Sequence, residues 1–283
     1  MRHAGCSAWP FRRLFTGRLR SVVVATTPFS FTEVNSEPPA AEQLRRRALV
    51  NYGHFTSMQA RGRRVRGLDL HLRRLDAANR ELFGSGVDNE RVRDCLRHAL
   101  VDVADATLRV DLFQSEKDHT DVMVTATPPA DPPPTPQRLR SVPYQRPVAH
   151  IKHVGAFGQI YHGRLAERDG FDDALLTGPD GAVSEAAIAN VGCFDGSGVT
   201  WPDAPALHGI TMQLLESRLD AGGVPSRRGP VRLAELPSYA TVFVCNSQGV
   251  APVGQVDDTP LPVDESFMRT MIRQYESVAW DPI

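Results

Sequence analysis

The chain is short of lysine, of cysteine and of long apolar runs, and each shortage excludes something. Only four cysteines occur, Cys6, Cys95, Cys193 and Cys245, at separations of 89, 98 and 52 residues. Such scatter makes neither a disulfide framework nor a zinc finger, and it points to a reducing compartment, with the cytoplasm as the expected location. No apolar run approaches the roughly 20 residues that span a bilayer. Lys and Arg together number 32 against 33 acidic residues, so the net charge is −1. The basic excess of a phosphate-neutralising nucleic-acid binder is missing. Walker-type phosphate loops, dinucleotide glycine fingerprints and H-E-x-x-H zinc helices are missing too. His150 and His153 flank Lys152, with His162 farther on, but no cysteine or carboxylate stands at a matching spacing, so no metal site is expected.

The lysine shortage is the most informative. Of the 32 basic residues only Lys117 and Lys152 are lysines. Arginine stays protonated and serves wherever a positive charge suffices. Chemistry that needs a primary amine has two side-chain candidates. Lys117 stands in the polar phrase Ser115-Glu116-Lys117-Asp118, where a solvated ammonium keeps its proton. Lys152 sits in His150-Ile151-Lys152-His153, ahead of an apolar helical stretch. A solvated surface charge is the ordinary fate of a lysine, yet this one has apolar company.

What is present suits a globular protein of one or two domains: 283 residues, 41% hydrophobic and 23% charged. Residues 1–40 read differently. Five arginines precede the first acidic residue, Glu33, without hydrophobic periodicity. A secretory signal would need a longer apolar stretch, and a transit peptide fits the composition about as well as a disordered extension. The expectation is a disordered extension outside the fold, followed by a helix over 40–48.

A first unit, 41–145, reads as a small α/β domain. Paired strands flank Arg61-Gly62, and Asp69 is positioned to cap a helix through Leu72, Leu75, Ala78 and Leu82 that ends at Gly84. A second helix starts after Asp88, and strand-like runs follow at 108–113 and 121–127. Pro128–Pro136 is a loop, because proline supplies no backbone donor, and residues 137–150 are expected to cross to the second unit. That unit, 146–283, reads as a larger α/β domain. It has helices over 158–168, 211–219 and 264–278, strands at 174–177 and 241–245, and a hairpin of 190–194 with 199–201 around Asp195-Gly196. Two such blocks imply an α/β (α+β) fold of two domains with a cleft between them.

Five phrases in order carry a resemblance. They are H-L-R-R-L at 71–75, I-K at 151–152, S-E-A-A-I-A-N at 184–190, G-I-T at 209–211 and N-S-Q-G-V-A-P-V at 246–253. Together they resemble the class IV aminotransferases, the fold-type IV enzymes of pyridoxal 5′-phosphate (PLP), over about 49–280. That group includes branched-chain and D-amino-acid aminotransferases and aminodeoxychorismate lyase.

The resemblance implies a D-amino-acid aminotransferase-like fold and a homodimer with active sites near the subunit boundary. It implies that Lys152 forms the Schiff base with PLP and is the catalytic residue. Arg74, Ile210 and Thr211 would bind the phosphate, Glu185 would lie beneath the pyridine nitrogen, and Asn190 would close that motif. Asn246 and Ser247 would complete the cofactor site. These residue types suit the cofactor's chemistry, which wants an amine for the aldehyde, an acid for the ring nitrogen, and a planar cation with a helix N-terminus for the phosphate.

Departures from the family pattern are Ala186 after the glutamate, Met212 after G-I-T, Asn246 for a threonine, Thr56 near a frequent glutamate, and Gln145 for an arginine of some members. They bear on the substrate. Three functions stay open: an aminotransferase exchanging an amino group between an amino acid and a 2-oxo acid, an aminodeoxychorismate-type lyase, and a non-catalytic relative. The last includes a binder using Arg61, Arg63, Arg64, Arg66 and Arg73. Neither the chirality nor the side chain of the amino donor is legible.

Overall fold

The computed structural model describes residues 30–116 and 119–283. The expected extension up to residue 29, Cys6 and Lys117 lie outside the described residues.

Six strands form the first sheet: β1 (Phe31–Val34), β2 (His54–Arg61), β3 (Arg64–Arg66), β4 (Ala106–Glu116), β5 (His119–Thr127) and, from the far end of the sequence, β15 (Trp280–Pro282), in the order β1-β5-β4-β2-β3-β15. Alternation along β2 explains its two faces. Met58 and Ala60 turn into a core with Leu108, Val110, Val122 and Val124. Phe55, Ser57 and Gln59 turn the other way and line a cavity. Gly62 and Arg63, both with positive φ (56° and 58°), make the tight turn into β3.

Helix α1 (Ala41–Leu49) runs along β4, while α2 (Leu68–Phe83) and α3 (Asn89–Ala99) cover the core face with Leu72, Leu75, Val92 and Leu96. Asp88 caps α3 by accepting from Glu90 N and Arg91 N. The expected cap of α2 is not made. Asp69 lies inside the helix and pairs with Arg93, and the N-cap is Gly67 at φ +69°, which has no side chain to offer.

The second sheet holds β6 (Gln137–Pro143), β7 (Asp173–Thr177), β8 (Val183–Ala186), β9 (Asn190–Phe194), β10 (Val199–Pro202), β11 (Ser226–Gly229), β12 (Thr241–Asn246) and β13 (Gly249–Val256), with β14 (Thr259–Pro260) paired to β13. Their order is β11-β10-β9-β12-β13-β6-β7-β8. Helices α4 (Phe157–Arg168), α5 (Ile210–Ala221) and α6 (Glu265–Glu276) pack on it, and a 3-10 turn spans Leu233–Ser238. Trp201, Phe243 and Met271 are fully buried between α5, α6 and the sheet. No helix among the described residues is long and apolar enough to cross a membrane.

Two boundaries differ from the sequence expectation. Residues 31–34 belong to the first sheet, because Phe31–Val34 pair with Met123–Ala126 and Val34 is only 2% exposed. So short a strand, half facing solvent, leaves no hydrophobic period to detect. The change of sheet falls within 128–136, ahead of residue 145, since Gln137–Pro143 is a strand between β13 and β7. Parallel pairing on both sides satisfies its backbone despite its polar sequence.

Candidate functional site

A cavity of about 780 Å³ opens between the sheets. One wall comes from the outward face of β2 and β4, through Phe55, Ser57, Gln59 and Arg109, and the opposite wall from β8, β9, β12 and the start of α5. Arg74, Lys152, Glu185, Asn190, Ile210, Thr211, Asn246 and Ser247 all line it. Residues drawn from five separate stretches of sequence thus share one space.

Lys152 is held by its backbone on both sides. Phe55 N donates to Lys152 O (2.9 Å) and Val154 N to Gly53 O (3.0 Å), which splices the lysine segment onto the start of β2. Its Nζ lies 4.8 Å from the centre of the Phe55 ring. Burial, helped by the positive charges of Arg74, Arg146 and Arg109 and opposed by Glu185, pushes its pKa down to about 7. A free lysine titrates near ~10.4, so this amine is available unprotonated at neutral pH. His150 and His153 are engaged elsewhere, with Glu81 (2.9 Å) and the carbonyl of Pro147 (3.0 Å).

Glu185, on β8, is 5% exposed. Arg146 Nη1 donates to its Oε1 (2.9 Å), and Leu207 N donates to its Oε2 (3.2 Å). Four lone-pair sites on a carboxylate leave room for a further donor from the cavity. Arg146 is a cavity residue that sequence reasoning did not single out. It is 7% exposed and also donates to Ala149 O (3.0 Å) and Ile151 O (2.9 Å), on the approach to Lys152. Its place in a loop, outside any helical or strand period, left no signal in the sequence.

Arg74 projects from α2 into the cavity. Its Nη2 donates to the hydroxyl of Thr56, which lies 2.6 Å from His71 Nδ1. Burial keeps His71 well below the usual histidine range, hence neutral, and lowers Arg74 only to about 10, hence still cationic at pH 7. Arg74 Nε is buried with no partner among the described residues. An unpaired buried guanidinium nitrogen is costly, and an anion in the cavity would satisfy it.

Opposite, α5 starts at Ile210 with no side-chain cap from Gly209, which leaves its first amides open. A Cβ on Gly209 would collide with Asn190 Oδ1, so any larger residue would push Asn190 out of place. Asn190 Nδ2 donates to Leu207 O (2.6 Å) and Thr211 Oγ1 to Asn246 O (2.7 Å), which ties α5 to β9 and β12. Asn246 Oδ1 accepts from Gln248 N (2.8 Å) and fixes the turn that includes Ser247. Amine, acid and phosphate cradle therefore suit PLP: the orphaned Arg74 nitrogen and the uncapped N-terminus of α5 both fit an anion.

Arg109 holds buried Asp111 with Nε (2.7 Å) and Nη2 (2.8 Å) and stacks on Phe55 at 3.5 Å. Its Nη1 has no partner among the described residues, and Arg109 lines the cavity. The arginines of the hairpin are spoken for: Arg63 donates to Leu100 O and Val101 O, and Arg64 to Trp280 O.

Known proteins share this architecture. A hypothetical aminotransferase from Mycobacterium tuberculosis, solved in a PLP-bound form, superposes with a TM-score of 0.74 at 19% identity, covering 82% of this chain and 90% of the other. A 4-amino-4-deoxychorismate lyase from Pseudomonas aeruginosa gives 0.75 at 23% identity over 88% and 99%. A branched-chain aminotransferase from Thermoproteus uzoniensis, solved with norvaline, gives 0.77 at 17% identity over 87% and 93%. At these identities the likeness is one of fold. No curated protein matches by sequence. The family described as amino-transferase class IV matches residues 53–256, nearly the whole span that builds the two sheets and the cavity. The chain belongs to the class IV aminotransferases, a family whose cofactor is pyridoxal 5′-phosphate.

Proposed function

We propose that the protein is a PLP-dependent aminotransferase that moves an amino group between an amino acid and a 2-oxo acid, with Lys152 as its catalytic residue. The observation that carries the reading is Lys152 itself. It is the lone lysine among the described residues, its pKa is drawn down to about 7, and Arg74, Glu185 and the α5 N-terminus share its cavity.

When bound, PLP supplies an aldehyde that condenses with amines and a ring that withdraws electrons from an amino acid's α-carbon. Glu185 would accept from the protonated ring nitrogen, and Arg146 holds that carboxylate in place through a 2.9 Å bond to its Oε1. Arg74 and the amides of Ile210 and Thr211 would hold the phosphate, with Asn246 and Ser247 closing that side and Asn190 bracing it. Lys152 Nζ, available unprotonated near neutral pH, would be the base that takes the proton from the substrate's α-carbon and the acid that gives it back. Arg109, its fork locked by Asp111, offers Nη1 to a substrate carboxylate.

A second copy of the chain is part of this reading. Phe157 (78% exposed), Tyr161 and Ile188 form an apolar rim beside the cavity, and such a patch suits an isologous interface. Cys95, Cys193 and Cys245 are buried and unpaired, which agrees with a cytoplasmic setting.

The test is reconstitution with PLP followed by single-turnover reaction with a panel of D- and L-amino acids. Build-up of the pyridoxamine form supports transamination. Pyruvate release from aminodeoxychorismate without that form would assign the lyase reaction instead. No visible absorbance band on adding PLP would end the enzyme reading.

A further inference from the structure

Helix α2, which carries His71 and Arg74, is capped from more than two hundred residues away. Gly67 offers no cap and Asp69 is turned to Arg93, yet Leu68 N donates to Asp281 Oδ2 at 3.0 Å. Asp281 belongs to β15, which runs antiparallel to β3 with Trp280 opposite Arg66 and Asp281 opposite Val65. That strand is fastened from the other side as well. Arg64 Nε donates to Trp280 O (2.8 Å), Arg66 donates to Val278 O (3.2 Å) and Glu276 O (3.1 Å), and the Arg66 guanidinium lies 4.1 Å from the Trp280 ring centre.

The capped turn leads directly into the cavity. It ends at His71, whose neutral ring shares a 2.6 Å hydrogen bond with the Thr56 hydroxyl, the same hydroxyl that accepts from Arg74 Nη2. We propose that Asp281 is a positioning residue for the phosphate side of the site. It holds the first turn of α2, which sets His71, which orients Thr56, which orients Arg74. Arg66, Tyr275 and Trp280 line the same cavity, so the strand that supplies the cap also forms part of the wall. A carboxylate at the N-terminus of α2 satisfies an otherwise orphaned amide and complements the helix dipole. The inference rests on the cofactor reading above for its consequence, though not for the cap itself.

The experiment uses the full chain and two readings taken well below the melting midpoint: amide hydrogen exchange of the peptide covering 68–74, and the dissociation constant for PLP. Asp281→Ala is expected to speed exchange in that peptide at least about fivefold and to weaken PLP binding about fivefold to tenfold, the range that a lost N-cap gives. Asp281→Asn keeps an acceptor and is expected to stay within about twofold of the parent on both readings. Asp281→Ala combined with Thr56→Val is expected to bind PLP no more weakly than Thr56→Val alone, because both cut one chain of contacts. Arg64→Met, which loosens β15 without touching the cap, is expected to move both readings the same way by a smaller factor.

Unchanged exchange in Asp281→Ala would overturn the inference, as would faster exchange with unaltered PLP affinity, equal losses in the Ala and Asn variants, or additive losses in the double variant. A parent protein that takes up no PLP would sink the proposed function instead, and the exchange reading would still decide the cap.

Discussion

Arg146 Nη1 lies 2.9 Å from Glu185 Oε1 while its Nη2 holds the carbonyl of Ile151, the residue before Lys152. One buried guanidinium thus ties the acid of the site to the loop that presents the amine. Removing either partner strands a buried charge, which typically costs about 3–5 kcal/mol. Arg146→Met is therefore expected to lower unfolding free energy by that order in urea titration. Arg146→Met with Glu185→Leu should recover much of it, because no lone charge remains.

Glu185→Gln keeps the volume of the side chain and removes its charge. PLP is expected to stay bound while α-proton removal slows about tenfold to a hundredfold, the value of one charge-assisted hydrogen bond near 1.5–3 kcal/mol. Stopped-flow absorbance with an accepted amino donor measures this. An unchanged rate would take Glu185 away from the ring.

The acidity of Lys152 sets a pH window. Its neutral form prevails above about 7, so trapping of PLP on the cofactor-free protein by borohydride should rise about tenfold per pH unit below 7 and level off above it. Peptide mapping should place the adduct on Lys152, and Lys152→Ala should lose it. Removing the positive neighbour in Arg74→Ala should move the midpoint upward. Linkage has a definite sign here: the unfolded chain keeps the proton up to about 10.5 and the folded one loses it near 7. The unfolded state binds more protons between those values, so this group makes the cofactor-free protein more stable as pH rises through that window.

In the proposed site Arg74 would anchor the phosphate, a contact made equally in the ground and transition states. Arg74→Ala should raise the dissociation constant for PLP far more than it lowers turnover at saturating cofactor. Full retention of PLP by the variant after prolonged dialysis would remove Arg74 from the site.

At Gly209 a methyl group would run into Asn190 Oδ1. Gly209→Ala is expected to displace Asn190 from Leu207 O and weaken PLP binding about tenfold or more, with a melting shift of only a few degrees. Equilibrium dialysis and a thermal melt read the two effects separately.

The first sheet makes its own prediction. Shortening the chain to start at residue 41 removes the β1–β5 ladder, the buried Val34 and the Glu33–His98 contact at 2.8 Å. A loss of about 2–4 kcal/mol in urea unfolding is expected relative to a chain starting at residue 30.

Local order, the family and the candidate residues that share the cavity were legible in the sequence. Helical spacing marked α2, α3 and α6, the proline run marked a loop, and Asp88 marked the start of α3, because each of these rests on neighbours within a few residues, whereas the crossing expected over 137–150 falls earlier, within 128–136. The phrases around Arg74, Lys152, Glu185 and Gly209 named the candidate site, and the cavity gathers all of them. Only the tertiary structure decided what supports them. Arg146 meets Glu185 across 39 residues, Thr56 meets Arg74 across 18, and Asp281 meets Leu68 across 213. Such contacts have no period along the chain. They exist because β6, β2 and β15 take particular places in two sheets, and strand order is settled by long-range pairing and burial rather than by any residue's own preference.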